Sequence, residues 1–428
     1  MSYTRRCYGL CAKEVSIIKK WQRWRRDLLM HYLRCIFDDE DHDVILHLEL
    51  TINQLSYAIR NVMVVDIPPH LVEQRPARTI ESFSDAECWR RFRVRKDDLY
   101  RVKDALQIPH SVRLENRSKF SGEEVLLFSL NRFTTCAWTH DLLCTYGRDA
   151  TQWYRAFHWF IRHMISRFAY LLTDMLPFWK KYIPLMAEKI RHKLFRKSGI
   201  YRAPGTFRIF GFIDCTVISS CRPGSGPAER GENAPRYNNF IQMAFYNGWK
   251  HHHGTKFQSV ELPNGMCMHM YGPKSFRACD LNLLARSNIV GKIRTLLLDM
   301  GPHGQFVLYG DGIYPFDTHL ISKHIGEYLT AMQLAENRAM TTIRIANEWD
   351  YGVTANIFPF VKWRAAQKLR KHKDIAVYYF VATILRNITC TLYGNVSSSY
   401  FESDDDELED ACDITLEEYL DPRHRPAL

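Results

Sequence analysis

Three carboxylates stand where the local pattern of this sequence changes. The run Phe207-Arg-Ile-Phe-Gly-Phe-Ile-Asp214 is aromatic and β-branched, reads as a buried strand, and ends on an aspartate. Phe306-Val-Leu-Tyr-Gly310 is a second short apolar strand, followed at once by Asp311. The stretch Thr341–Phe358 has helical spacing and carries Glu348. Carboxylates at strand C-termini sit where α/β proteins build their sites. Three that converge repel one another unless cations neutralise them, and an all-oxygen donor set suits Mg²⁺ or Mn²⁺. Two such ions ~4 Å apart can activate a water or a 3′-hydroxyl and stabilise the leaving oxygen in phosphodiester displacement, with Asp214 expected to bridge them. In a chain with 47 acidic residues, an Asp/Asp/Glu spacing carries little weight without its surroundings.

Those surroundings predict a mixed α/β domain over residues 201–400. Lys256–Leu262 and Met266–Tyr271 flank Pro263-Asn264-Gly265, a hairpin signal. Leu281–Leu298 reads as helix and Ala376–Cys390 as a further apolar element. Upstream, within a helix-turn-helix-like domain of residues 81–200, Ser82 to roughly Leu176 reads as helical throughout, with Pro177 to halt it. Ser121 and Glu124 form a capping box that opens a helix over Val125–Phe133. A short helix over His140–Tyr146 stops at Gly147. A longer one, capped by Asp149 or Thr151, follows with Trp153, Phe157, Phe160, Ile161, Met164 and Phe168 on one face. This is the outline of a helix-turn-helix, with Arg148, Arg155 and Arg162 as candidate DNA contacts.

Residues 1–80 read as a basic amphipathic helix (13–37) and a proline-interrupted linker. Lys189–Arg202 reads as a basic hinge, and residues 401–428 as an acidic tail whose run Asp404–Asp410 is expected to be solvated and disordered. Lys and Arg outnumber Asp and Glu by 58 to 47, a formal charge of +11 that suits a polyanionic partner. No apolar run approaches the ~18 residues of a membrane span, so no membrane partner is expected. The twelve cysteines are expected to be free thiols in a reducing compartment.

The motifs, taken in order, resemble the PIF/Harbinger DDE transposases and their domesticated relatives. The matching segments are Phe212-Ile-Asp214-Cys-Thr, Tyr246-Asn-Gly-Trp-Lys-His251, Lys256-Phe-Gln-Ser-Val260, Gly272-Pro-Lys-Ser-Phe-Arg-Ala-Cys-Asp280, Tyr309-Gly-Asp311-Gly-Ile-Tyr-Pro315 and Arg344-x-x-x-Glu348-Trp-x-Tyr-Gly352. The tail segments Leu392-Tyr-Gly394 and Leu416-Glu-Glu-Tyr419 follow the same pattern, so the likeness spans about residues 85–420. Tyr351 stands where phenylalanine is commoner in that family. The resemblance implies a ribonuclease-H-like catalytic domain, a mixed sheet flanked by helices, preceded by an all-α helix-turn-helix-like domain. Asp214, Asp311 and Glu348 would be catalytic and would hold two Mg²⁺ or Mn²⁺ ions. The implied activity is cleavage of transposon-end DNA and its joining to target DNA, in the nucleus, as a homo-oligomer working with a Myb-like accessory protein. The alternatives are a domesticated DNA-binding protein that no longer cuts and a ribonuclease-H-like repair nuclease.

Other residues have two readings each. Asp280 can cap the helix it opens or stand near metals or DNA. Arg344, one turn before Glu348, can pair with that carboxylate or meet a phosphate. Lys250, His251 and Lys256 belong to a basic loop that can face phosphates. His251-His252-His253 is not a metal motif, because consecutive histidines rarely face one ion. Cys7-x-x-x-Cys11 lacks a second pair at zinc spacing.

Overall fold

The computed structural model describes residues 77–137, 142, 145–199, 207–222, 242–300, 306–364, 367 and 375–426, with Lys20, Arg23, Trp24 and Asp27. The basic helix expected over 13–37 lies outside the described residues except at those four positions, as do Cys7, Cys11 and most of the 62–80 linker. Met1–Glu73 with Gly224–Ala244 form one compact unit, of which few residues are described; Gln74–Pro223 with Phe245–Leu428 form the other.

The second unit opens with helices α1 (Asp85–Phe92) and α2 (Lys96–Ala105), then an antiparallel ribbon of β1 (Ser111–Arg113) and β2 (Lys119–Ser121). That ribbon departs from the expected unbroken helical run. It turns through Asn116, whose Oδ1 accepts from the Ser118 hydroxyl, and Arg117, whose φ is 64°. Helix α3 (Gly122–Thr134) begins with the expected Ser121/Glu124 capping box, and α4 (Ala150–Phe168) is capped by Asp149. Every residue of α3 but Glu123 is buried, so this helix is core and offers no open face to a ligand. Two short helices, α5 (Tyr170–Thr173) and α6 (Leu176–Trp179), lead to α7 (Ile183–Ser198). The basic stretch expected as a hinge continues this helix to Ser198, where Gly199 stops it at φ 67°.

A six-stranded mixed sheet follows: β3 (Arg208–Ser220), β4 (Tyr246–Asn247), β5 (His252–Glu261), β6 (Cys267–Ser275), β7 (Phe306–Gly310) and β8 (Leu320–Ile321). Its order is β4-β5-β3-β7-β8, with β6 also on β5. Strand β3 is the hinge of the design. It runs parallel to β7 over Arg208–Ile213 and antiparallel to β5 over Phe212–Ser220, so the β3–β5 ribbon continues past the end of β7. The predicted 281–298 helix is two, α8 (Asp280–Ser287) and α9 (Ile289–Leu296), broken at Asn288, whose φ is 47°. Helix α10 (Ala331–Ile357) and α11 (Ile375–Tyr393) are followed by α12 (Val396–Tyr400), α13 (Asp406–Cys412) and α14 (Leu416–Tyr419).

Alternation along the strands, with a bulge in β3 between Ile209 and Gly211, divides the core in two. Ile209 and Phe212 of β3 and Val307 and Tyr309 of β7 pack on Ile190 and Leu194 of α7 and on Met340 and Ile343 of α10. Phe210, Ile213 and Leu308 join the larger cluster beneath the other sheet face. That cluster crosses the boundary expected near residue 200: Phe133 of α3 lies 6.0 Å from Phe358, and Phe157 of α4 lies 5.6 Å from Tyr378 of α11. The 81–200 helices and the sheet therefore share one core.

The acidic tail is not a disordered tail. Leu408 and Cys412 of α13, Ile414 of the link and Leu416 and Tyr419 of α14 are buried, and the acids pair with the basic body. Lys189 reaches Glu409 at 2.6 Å, Lys181 reaches Glu418 at 2.6 Å and Arg101 reaches Glu417 at 2.9 Å. Counting charge alone missed the apolar face between the acids.

Candidate active site

Asp214 and Asp311 come together because of strand register. Ile213 pairs with Gly310 in the parallel β3–β7 ladder, so the next residue of each strand is an aspartate at the point where β7 ends and β3 continues. The two follow the alternation of Phe212 and Tyr309, which places them on the α7/α10 side of the sheet. Each carboxylate is held by its own chain. The Cys215 amide donates to Asp214 Oδ1 at 2.7 Å, and the Gly312 amide donates to Asp311 Oδ1 at 2.6 Å. Gly310 has the Tyr314 ring against it, where a Cβ would meet ring carbons at 2.7 Å. Glycine at that position lets the turn after β7 fold back beside the strand.

Helix α10 crosses this point. Arg344 Nη1 donates to Asp214 Oδ2 at 3.0 Å, a partner that neither of its two readings named. One face further along, the Tyr351 hydroxyl lies 3.0 Å from Ser259 Oγ, and Ser259 is the β5 partner of Asp214. Positions 344 and 351 are thus seven residues apart on one helix face and both land on the Asp214 rung. Position 348 lies between them on that face. The side chain of Glu348 is outside the described residues.

Burial pushes the Asp214 carboxyl up to about 6, and the neighbouring Asp311 and Asp280 charges add to this against the Cys215 amide and Arg344. The Cys215 thiol, 3.5 Å from the Tyr314 hydroxyl, is pushed well up by burial and stays protonated. Asp280 does not cap its helix. It is the first helical residue, with Cys279 at the cap, and its carboxylate pairs with Lys256 Nζ, which also donates to the Ala278 carbonyl at 3.0 Å.

The other predicted residues lie apart from the pair. Lys250 and His251 occupy the exposed turn between β4 and β5, and His252 and His253 begin β5. Arg148 pairs with Glu124 at 3.0 Å and lies 4.2 Å over the Phe120 ring. Exposed Arg162 pairs with Glu115 at 3.1 Å, and Arg155 is half-buried on α4.

Sequence reasoning passed over the network behind the site. Arg386 of α11 is buried, donates to Glu261 Oε2 of β5 at 2.8 Å and lies 3.8 Å from Asp350 Oδ1 of α10. Ser259 donates to Glu261 Oε1 at 2.8 Å, so the chain Arg386–Glu261–Ser259–Tyr351 ties α10 to the strand beside Asp214. Burial pushes the Asp350 carboxyl up to about 7 against the nearby Arg386. The available signal was a lone arginine inside the apolar run Ala376–Cys390, since charges at such positions are nearly always paired.

Two carboxylates side by side are hard oxygen donors of the kind Mg²⁺ or Mn²⁺ prefers, and the fit is chemical. Among the described residues no three His, Cys, Asp or Glu side chains gather as a metal cluster. Residues 213–387 match the family model of the DDE superfamily endonucleases, a segment that begins one residue before Asp214 and contains Asp311 and Glu348. The mixed sheet flanked by helices is consistent with that fold, and the match supports a transposase-like nuclease over that segment. No curated protein and no solved structure matches the chain.

Proposed function

We propose that this chain is a Harbinger-type DNA transposase, an endonuclease and strand transferase acting on transposon-end DNA. The observation that carries the reading is the register that sets Asp214 beside Asp311, with one face of α10 lying over the same rung. Asp214, Asp311 and Glu348 would hold Mg²⁺ or Mn²⁺, which supplies Lewis-acid activation of the attacking oxygen and offsets charge on the leaving oxygen. The chain's own residues do the positioning. The Cys215 and Gly312 amides fix one oxygen of each carboxylate, leaving the other directed by what approaches it. Arg344 offsets the charge of Asp214. The reaction is in-line displacement at phosphorus: water or a DNA 3′-hydroxyl forms the new P–O bond, and the 3′-oxygen leaves. The partners are duplex DNA, a second copy of the chain and a Myb-like accessory protein, in the nucleus. The +11 formal charge supports a polyanionic substrate.

The test incubates the purified chain with the DNA flanking its own gene and Mg²⁺ or Mn²⁺, beside Asp311→Ala. Cuts at discrete ends that vanish in the variant are expected. Binding without cutting, with the accessory protein added, would favour the domesticated reading instead.

A further inference from the structure

The β4–β5 turn holds a feature that the carboxylate site does not use. Trp249 is 86% exposed, among the most exposed large apolar side chains described. The turn carrying it is rigidly built. Asn247 Oδ1 accepts from the amides of Trp249 at 2.9 Å and Lys250 at 3.0 Å, while its Nδ2 donates to the Phe276 carbonyl at 3.2 Å. His252 Nδ1 lies 2.8 Å from the Lys250 carbonyl, and His251 completes the turn at φ 54°. A solvent-facing indole on a turn held this way has no core to fill.

The surroundings are basic. No acidic residue occurs from Phe245 to Val260, nor from Leu262 to Cys279, while Lys250 and Arg277, next to the Phe276 that Asn247 holds, lie in those stretches. Lys256 is excluded, because Asp280 neutralises it. At the root of the turn, burial and then the charges of Arg222 and Arg364 hold the His253 imidazole below its ordinary value. Positive charge therefore gathers at this end of the β3–β5 ribbon. An aromatic ring flanked by cations fits duplex DNA, where a large apolar side chain can wedge at a base step in the minor groove and the phosphates attract the cations.

Distance says which part of the DNA it would meet. His252 lies seven residues along β5 from Ser259, the partner of Asp214. At ~3.4 Å per residue the turn stands roughly 24 Å from the carboxylates, about seven base pairs of duplex. We propose that Trp249, with Lys250 beside it, is a second DNA contact that grips the duplex about seven base pairs from the cut. This rests on the DNA reading of the carboxylate site and adds to it a residue outside that site.

The experiment measures binding of the full chain to a mixed-sequence duplex across a salt series, for wild type, Trp249→Ala, Trp249→Phe and Lys250→Ala. Trp249→Ala is expected to bind about tenfold more weakly with its salt slope unchanged. Trp249→Phe restores most of that loss. Lys250→Ala lowers the salt slope by about one. Because Trp249 is exposed, its replacement leaves the core intact, and unchanged unfolding curves check this. If wild type binds and Trp249→Ala binds within twofold of it, the second contact is overturned and the DNA reading stands. If wild type binds no DNA even with the accessory protein added, both fall together.

Discussion

Replacing Arg386 by methionine tests the network behind the site most directly. The guanidinium is 1% exposed and sits between two carboxylates that are each 2% exposed. At an effective dielectric of about 20, the attraction to Glu261 at 2.8 Å is roughly 6 kcal/mol. The loss need not reach that figure, because an orphaned buried carboxylate can take up a proton. Near pH 7 that escape costs about 3–4 kcal/mol for a carboxyl of ordinary affinity, which falls in the 3–5 kcal/mol range for breaking a buried pair. The cost must then depend on pH. Asp350, pushed up to about 7 mainly by burial, binds its proton more tightly folded than unfolded. Its contribution is therefore favourable at low pH and is lost as pH rises from about 4 to about 7. Without Arg386 to oppose the burial, that loss extends to higher pH. Urea unfolding at about pH 6 and about pH 8 should show Arg386→Met losing ~2 kcal/mol more at the higher value. A loss below ~1 kcal/mol at about pH 8, or one equal at both, would refute the assignment of a buried, charge-bearing link.

Arg344→Ala removes the cation 3.0 Å from Asp214. That carboxyl, already raised to about 6 by burial, rises further. Its ionised form then appears only at higher pH, so a carboxyl NMR titration of the protein without divalent cation should show the Asp214 midpoint moving toward alkaline values; a midpoint that stays put contradicts the pairing. Tyr351→Phe deletes the hydroxyl 3.0 Å from Ser259 and should cost about 1 kcal/mol in unfolding experiments. Cleavage assays should show kcat falling while KM holds, because the helix loses its fixed register beside Asp214 but no substrate contact. Tyr419→Ala empties a fully buried site whose hydroxyl lies 2.9 Å from Asn387 Nδ2. A loss of about 3–5 kcal/mol is expected. Thermal melting within error of wild type would return the C-terminal segment to the solvated tail that its charge suggests.

How legible the fold was depended on whether a segment's own residues decide its state. Phe306–Gly310 came out with the bounds its apolar run predicted, because no polar residue interrupts it and Asp311 ends it. The helices at Gly122 and Ala150 start at their predicted caps, since Ser121, Glu124 and Asp149 satisfy backbone amides locally. The β1–β2 ribbon was missed: each strand has three residues, too few for a period to show. The packed acidic tail was missed for a different reason. Its helices α13 and α14 have seven and four residues, and their stability comes from Lys189, Lys181 and the core beneath, which are more than two hundred residues away in sequence.

The candidate site divides along the same line. That strands ending in aspartate could lie side by side was readable, but their register was not, because parallel pairing has no turn to fix it. Register is what matters chemically: a slip of one residue between β3 and β7 would send one aspartate to the opposite face of the sheet. Beyond the bulge between Ile209 and Gly211, the alternating burial of Phe212 and Tyr309 against α7 and α10 on one face, and of Ile213 and Leu308 on the other, forbids that slip. The same face then orients α10, whose Met340 and Ile343 pack on that layer and carry Arg344 onto Asp214. The apolar residues flanking each acidic motif thus fix the geometry of the carboxylates. Volume-changing substitutions at Phe212 or Ile343 should therefore impair cleavage more than they impair folding.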